Sequence, residues 1–469
     1  MSEARVALGS ERLRDPAATL ALVGSLAVFA WLLASGAWAL SLIGFALLAA
    51  FVGARWQWLL APLGALAFFV PVPFTMWYSL TGEGTLSLLS RIHPGTLYLL
   101  ALTAFGWRPS ADGQPPVVLA TVPGERLLAG LQVAFVAIAG GMSVALRGLR
   151  GLSLLLDNYV GPFTLFWLLV WLFRSRSPSR NLVGSLAATL GILFGILAVL
   201  EFAGGRNPVY EPFYGEVPWF PYPTGEYRST VSFGAPLAAA NVFLAILVVL
   251  TAARSIRLRA VGVLLLIAGV LATGSRSAVA LAVVTSPFVV LAIGETASAQ
   301  HRPGLTRQLA IGVGILGAIV SLVATPLGSV VLHRVLGSWQ STAVRVLSVE
   351  YFRQSVGSYL THGVGLGGST DVSTAALGSY VTFENPWIML AVDVGIPLAT
   401  FYACVLALVF VIALRHPPRR WGALVGVLGL VLMESAYNSF GVRSLAGYDL
   451  WMVLAVLWPD STSYKSTTL

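Results

Sequence analysis

Ser341-Thr-Ala-Val-Arg345, Thr361-His-Gly-Val-Gly-Leu-Gly-Gly368, Phe383-Glu-Asn-Pro386 and Asp393-Val-Gly-Ile-Pro397 mark a mostly polar interval, residues 327–397. The rest of the chain is almost continuously apolar. One hydrophobic run ends near Pro326 and the next begins near Pro386, so the interval reads as a long loop between two spans. That contrast decides the fold class. Runs of about 20 apolar residues recur from end to end, each long enough for a helix to cross ~30 Å of hydrocarbon. An open sheet cannot span, because lipid offers its backbone no hydrogen-bond partner. A barrel needs alternating apolar and polar residues, and these runs are apolar all round.

Composition agrees. Of 469 residues, 57% are hydrophobic and 10% charged, with mean hydropathy +0.83. A soluble domain carries about 25% charged residues. The expected fold is an all-α polytopic bundle of about 12–14 transmembrane helices, counted as apolar runs. The net charge of +9 comes from 28 Lys+Arg against 19 Asp+Glu. The arginines crowd short loops between spans, as the positive-inside rule expects, so nucleic acid is not an expected partner. The single cysteine, Cys404, lies in an apolar run and excludes a disulfide framework or thiolate metal cluster. Residues 1–15 are polar and of mixed charge, and the first apolar run leads directly into another, which does not read as a cleavable leader.

The chain divides at composition shifts. Residues 1–203 hold N-terminal spans, near 17–35, 38–54, 57–76, from about 92, 127–145, 159–174 and 181–203. Residues 204–326 hold central spans and an aromatic, Pro-rich loop, 204–231. Residues 327–385 form the large loop, and 386–469 the last spans and tail. Alternation with Arg-rich turns places 204–231 and 327–385 outside, and 174–180, 254–259 and 415–420 inside. The basic turn Arg147-Gly-Leu-Arg150 fits poorly, since alternation places it outside.

Charges at the edge of a membrane are functional candidates. Arg276, in Thr273-Gly-Ser-Arg-Ser277, is either an interfacial arginine snorkelling to head groups or a guanidinium that holds a phosphate bidentately, with Ser275 nearby. Arg228 either pairs with Glu226 or is a second outward guanidinium. Arg345 sits on an amphipathic run with Val344, Leu347, Tyr351 and Tyr359 at helical spacing, suited to lying flat on a membrane. Arg353 pairs with Glu350 and reads as structural. Glu384 either neighbours a helix cap or serves as a general base. The glycines of 363–368 lack a Walker lysine and read as a tight chain reversal. The five histidines show no metal-ligand spacing.

These landmarks, in this order, resemble the O-antigen ligase and polymerase superfamily of bacterial membranes. The resemblance rests on Gly274-Ser-Arg276-Ser, Arg345, Thr361-His362-Gly-Val-Gly-Leu-Gly367, Glu384-Asn385-Pro-Trp, Asp393-Val-Gly-Ile-Pro397, and the upstream segment from Arg228 to Pro236. It covers roughly 205–440. It implies a glycosyltransferase-C-like helical bundle capped by a periplasmic loop, in the cytoplasmic (inner) membrane. It also implies a metal-free, cofactor-free transfer, with inversion, of a saccharide from a polyprenyl-diphosphate carrier to a hydroxyl on a glycan or lipid acceptor. A chain-length regulator would be a further partner. In that scheme Arg228, Arg276 and Arg345 bind the diphosphate. Glu384 stands where the family has histidine and would be the base, and Ser275, His362, Gly365, Gly367 and Asn385 support the site. Leu398 replaces a family glycine. A transporter or flippase for a lipid-linked glycan or anionic solute is the alternative from another class.

Overall fold

The computed structural model describes residues 38–74, 77, 91–107, 124–175, 177–207, 227–253, 255–291, positions scattered through 313–329, then 340–378, 383–414, 421–435, 440 and 442–458. The span at 17–35, the loops 78–90 and 108–123, most of the aromatic loop, the inner loop after 291, residues 330–339 and the tail lie outside this set, as does Glu226.

Every described element is helical. We label α1 Trp38–Arg55, α2 Pro94–Ala104, α3 Glu125–Leu155, α4 Gly161–Ser175, α5 Ser177–Gly204, α6 Pro236–Val249, α7 Ile256–Ala272, α8 Arg276–Leu291, α9 Gln340–Ser355, α10 Gly368–Leu377, α11 Pro386–Val394, α12 Ile396–Leu414, α13 Trp421–Glu434 and α14 Ala446–Leu457. Four stretches are long and apolar enough to cross a membrane: Trp38–Arg55, Glu125–Arg174, Ser179–Gly204 and Ile396–Ala413. Shorter apolar helices pack among them. α6 and α14 are the interior helices, with almost every side chain buried, and so both are apolar nearly all round. Leu127, Val133, Ile138, Leu193, Ile196 and Leu200 instead stay exposed. Such an apolar outer surface suits lipid rather than water.

The stretch from 125 to 174 doubles back on itself. Gly148 breaks the helix with φ 58 and ψ −140. Gly140 meets Leu155, the Phe135 ring packs tilted against Tyr159, Gln132 accepts from the Trp167 indole at 2.7 Å, and Arg174 pairs with Glu125 at 2.8 Å. These partners lie progressively farther from Gly148 on both sides, which is an antiparallel hairpin. Either arm exceeds the ~30 Å hydrocarbon thickness at 1.5 Å per residue. The π-helix Leu156–Val160 widens the second arm.

The hairpin defines two ends of the bundle. At one lie the Glu125–Arg174 pair, the Arg180 guanidinium donating to the Trp458 carbonyl at 3.0 Å, and Gly184 against Ala252 and Ala253. At the other, Arg147 pairs with Asp371 of α10, so the basic turn lies on the side of the large loop. Its misfit with the charge rule has a physical basis: the loop supplies a counter-charge. Close helix contacts use glycine. A Cβ at Gly195 of α5 would overlap the Leu265 carbonyl of α7. Small residues permit such backbone approach where lipid gives no hydrophobic drive between helices.

Two expected spans differ. The run 57–76 is broken into a 3-10 helix Ala61–Ala65 and a single turn Leu66–Phe69, with Pro62, Pro71 and Pro73 removing donors. α2, which follows, is only 11 residues, about half a bilayer crossing. The run 386–413 is cut at Gly395, φ 84, into α11 and α12. α1, α4, α5, α6, α7, α8, α13 and α14 begin and end within a few residues of the positions read from hydropathy, whereas α3 runs ten residues past the expected end at 145 and most of the run 309–326 lies outside the described residues.

Candidate functional site

The site is built on helix ends at the loop-bearing side. α7 stops at Ala272, and Gly274, φ 63, turns the chain into α8, whose first residue is Arg276. The Thr273 hydroxyl donates to the Val270 carbonyl at 2.7 Å. Arg228 Nε donates to the Thr273 carbonyl at 2.8 Å, and Ser229 N to the Ala272 carbonyl at 2.9 Å. Both satisfy carbonyls that a helix C-terminus leaves unpaired, and the guanidinium also meets the negative end of the helix dipole. Ser275, 3% exposed, has a hydroxyl with no hydrogen-bond partner among the described residues. It opens a 16-residue helix beside Arg276, where backbone N–H groups favour an anion.

The large loop brings the other two groups. α9 carries Arg345, and Arg345 Nε lies 3.1 Å from Glu384 Oε2. Glu384 is released for that contact because Asn385, one residue on, caps α11. Its side-chain oxygen accepts from Trp387 N at 3.0 Å and Ile388 N at 3.2 Å. The supporting place expected of Asn385 is therefore that of a cap. Burial pushes the Glu384 carboxyl above the ordinary range, and the nearby charges of Arg345 and, more weakly, Arg276 pull against that rise. Arg345 is thus held on Glu384, and Arg228 is bonded to the turn that leads into Arg276.

A small core seats α9 and α11 together: Tyr359, Phe383, Ile388, Met389 and Val392, with Tyr351 stacked on Phe383 at 5.5 Å. Leu347 of the apolar run on α9 is exposed, as are Val346 and Val349. Arg353 pairs with Glu350 at 2.9 Å in solvent.

The glycine loop has a structural cause. Asp393, fully buried, accepts from Gly367 N at 3.1 Å and Ser369 N at 2.6 Å. Val364 N and Gly365 N donate to the Val392 and Asp393 carbonyls at 2.9 and 2.8 Å. A Cβ at Gly363 would overlap the Asp393 backbone, and Gly365 and Gly367, with φ 87 and 81, lie against Arg147 and Leu154. These glycines let the loop lie flat on α11 and on the hairpin turn. His362 is exposed, with Nδ1 2.9 Å from its neighbour Thr361 Oγ1, and its backbone rests on Gly395.

Sequence reasoning passed over the buried groups beneath this surface. Asp157 faces Arg443 at 3.5 Å and accepts from His93 N at 3.1 Å and Thr96 Oγ1 at 2.7 Å. His93 itself caps α2, accepting from Gly95 N at 3.0 Å. Asn241 donates to Asp449 at 2.9 Å and stands 3.5 Å from Glu434. Glu201, near the end of α5, underlies the segment that carries Arg228. A carboxylate inside an apolar run is the signal that marks each. No group of three His, Cys, Asp or Glu able to hold a metal occurs among the described residues.

No family model, curated protein or solved structure matches the chain.

Proposed function

We propose that this protein is a membrane glycan transferase of the O-antigen ligase or polymerase type. It would have a glycosyltransferase-C-like bundle of about 12–14 spans, the count of apolar runs. The large loop would face outward from the cytoplasmic membrane. The observation that carries the reading is the Arg345–Glu384 pair on the large loop, with Arg228 bonded to the turn that leads into Arg276.

In the proposed reaction the acceptor hydroxyl oxygen attacks the anomeric carbon of a glycan held on a polyprenyl diphosphate. The bond from that carbon to the phosphate oxygen breaks, and the diphosphate leaves with the electron pair. The three guanidiniums, with Ser275 and the start of α8, would stabilise that developing charge. Glu384 would take the hydroxyl proton. In the resting structure Arg345 holds Glu384, so the arriving diphosphate would compete for the guanidinium and leave the carboxylate to its desolvated, more basic state.

The test uses proteoliposomes loaded with a polyprenyl-diphosphate glycan and a mixed acceptor pool, with release of the carrier diphosphate as the readout. Release by wild type that is lost in Arg276→Ala and Glu384→Gln is expected. Movement of the intact glycan lipid between leaflets, without diphosphate release, would overturn the proposal in favour of transport.

A further inference from the structure

Glu201 is 1% exposed and sits beneath residues 227–231. Its Oε1 accepts from Thr230 N at 3.0 Å, Tyr227 OH at 2.9 Å, Asn207 Nδ2 at 3.0 Å and Thr230 Oγ1 at 3.2 Å. Its Oε2 accepts from Val231 N at 2.7 Å. Ser229 Oγ is 2.8 Å from both that oxygen and the Ala198 carbonyl, so its single proton serves one of them. All these partners are donors, and an ionised carboxylate is acceptor-only, so the segment is shaped to the charged form. Val231 has φ 50, a left-handed conformation that a β-branched residue adopts only when its surroundings over-determine it. The carboxylate gripping its N–H is that constraint.

Arg228 lies between the gripped residues. Tyr227 on one side and Ser229, Thr230 and Val231 on the other all bond to Glu201. Ser229 N and Arg228 Nε then bond to the consecutive carbonyls of Ala272 and Thr273. We propose that Glu201 is the positioning residue of the anion site: its carboxylate folds residues 227–231 so that the Arg228 guanidinium is held on the turn carrying Arg276. The proposal rests on the anion-site reading above and assigns Glu201 no contact with the ligand.

The experiment uses the full chain in detergent and inorganic pyrophosphate as the probe, with two readouts. The first is pyrophosphate affinity by calorimetry for wild type, Glu201→Gln, Arg228→Ala and the double variant. Glutamine turns a donor toward the backbone N–H groups, so affinity should fall about tenfold, the scale of a hydrogen bond to a charged group. The double variant should bind no more weakly than Arg228→Ala, since Glu201 acts through that residue. The second readout is hydrogen exchange at Arg228 Nε, slow in wild type and faster in Glu201→Gln. Wild-type affinity with unchanged exchange, or losses that add in the double variant, would overturn the proposal. If wild type fails to bind pyrophosphate, the anion-site reading falls, and the exchange comparison alone decides the role of Glu201. If Glu201→Gln does not fold, Glu201→Asp carries the test. It keeps the charge but withdraws it by one methylene, and intermediate exchange is expected.

Discussion

Two of the arginine–carboxylate pairs on the loop-bearing side, Arg443–Asp157 and Arg345–Glu384, differ in what surrounds them. In Arg443–Asp157 the side chains are 5% and 0% exposed, and in Arg345–Glu384 they are 41% and 31% exposed. The first is woven into neighbours: Arg443 donates to Ser153, and Asp157 accepts from His93 and Thr96. Buried on both sides, the pair locks the hairpin to α2 and to the segment before α14. The second pair is open, and its members have other charges within reach. A buried pair fixes structure, whereas a half-exposed one can exchange partners without unfolding anything.

The sharpest way to break that contrast is to remove one member of each. Asp157→Ala should cost about 3–5 kcal/mol, because Arg443 is left as an uncompensated buried charge. Thermal unfolding in detergent measures it, and a loss no larger than that of a surface change would erase the distinction. Asn385→Ala should cost about 1 kcal/mol by unfolding, the worth of a helix cap, and should also let α11 and Glu384 shift. Glu384→Gln should change stability by no more than about 1 kcal/mol, since exposed pairs contribute little, while transfer in proteoliposomes is lost. A stability loss comparable to that of Asp157→Ala would make Glu384 structural.

The pH profile sharpens the same comparison. The raised Glu384 carboxyl stays protonated to higher pH than an ordinary glutamate, near 4.3 in peptides. As base it is lost when pH falls through that raised value. The acid limb of the wild-type rate should therefore lie above the ordinary glutamate range. The linkage has the opposite sign for folding: a raised carboxyl favours the native state at low pH and loses that contribution as pH rises through it. The smallest effect belongs to Arg353→Ala. Its pair with Glu350 is fully solvated, and neither unfolding nor transfer should change measurably.

The candidate groups were legible because their residue types are conspicuous where they stand: an arginine in a three-residue turn, a glutamate at the start of an apolar run. Their partners were harder to read. Glu384 reads equally as a cap neighbour or a base until Asn385 is seen to take the cap and Arg345, 39 residues away, the carboxylate. The glycine loop reads as a tight chain reversal, and only the folded chain shows that the surfaces it lies against are Asp393 and Arg147. Glu201 drew no notice, because a lone carboxylate in a span has no local pattern to declare what it binds.

Hydropathy by itself determined the all-helical, membrane-type bundle and most helix positions, since burying apolar surface is additive along the chain and reads out locally. It failed at 57–76 and at Gly395, where proline and a left-handed glycine interrupt an apolar run without altering its hydropathy. Tertiary structure alone decided which carboxylates hold loops, which arginine pairs are locked, and that Arg345 meets Glu384 across 39 residues of sequence. Hydrogen bonds and ion pairs depend on distance and direction between residues far apart in sequence, and those are set only once the helices have packed.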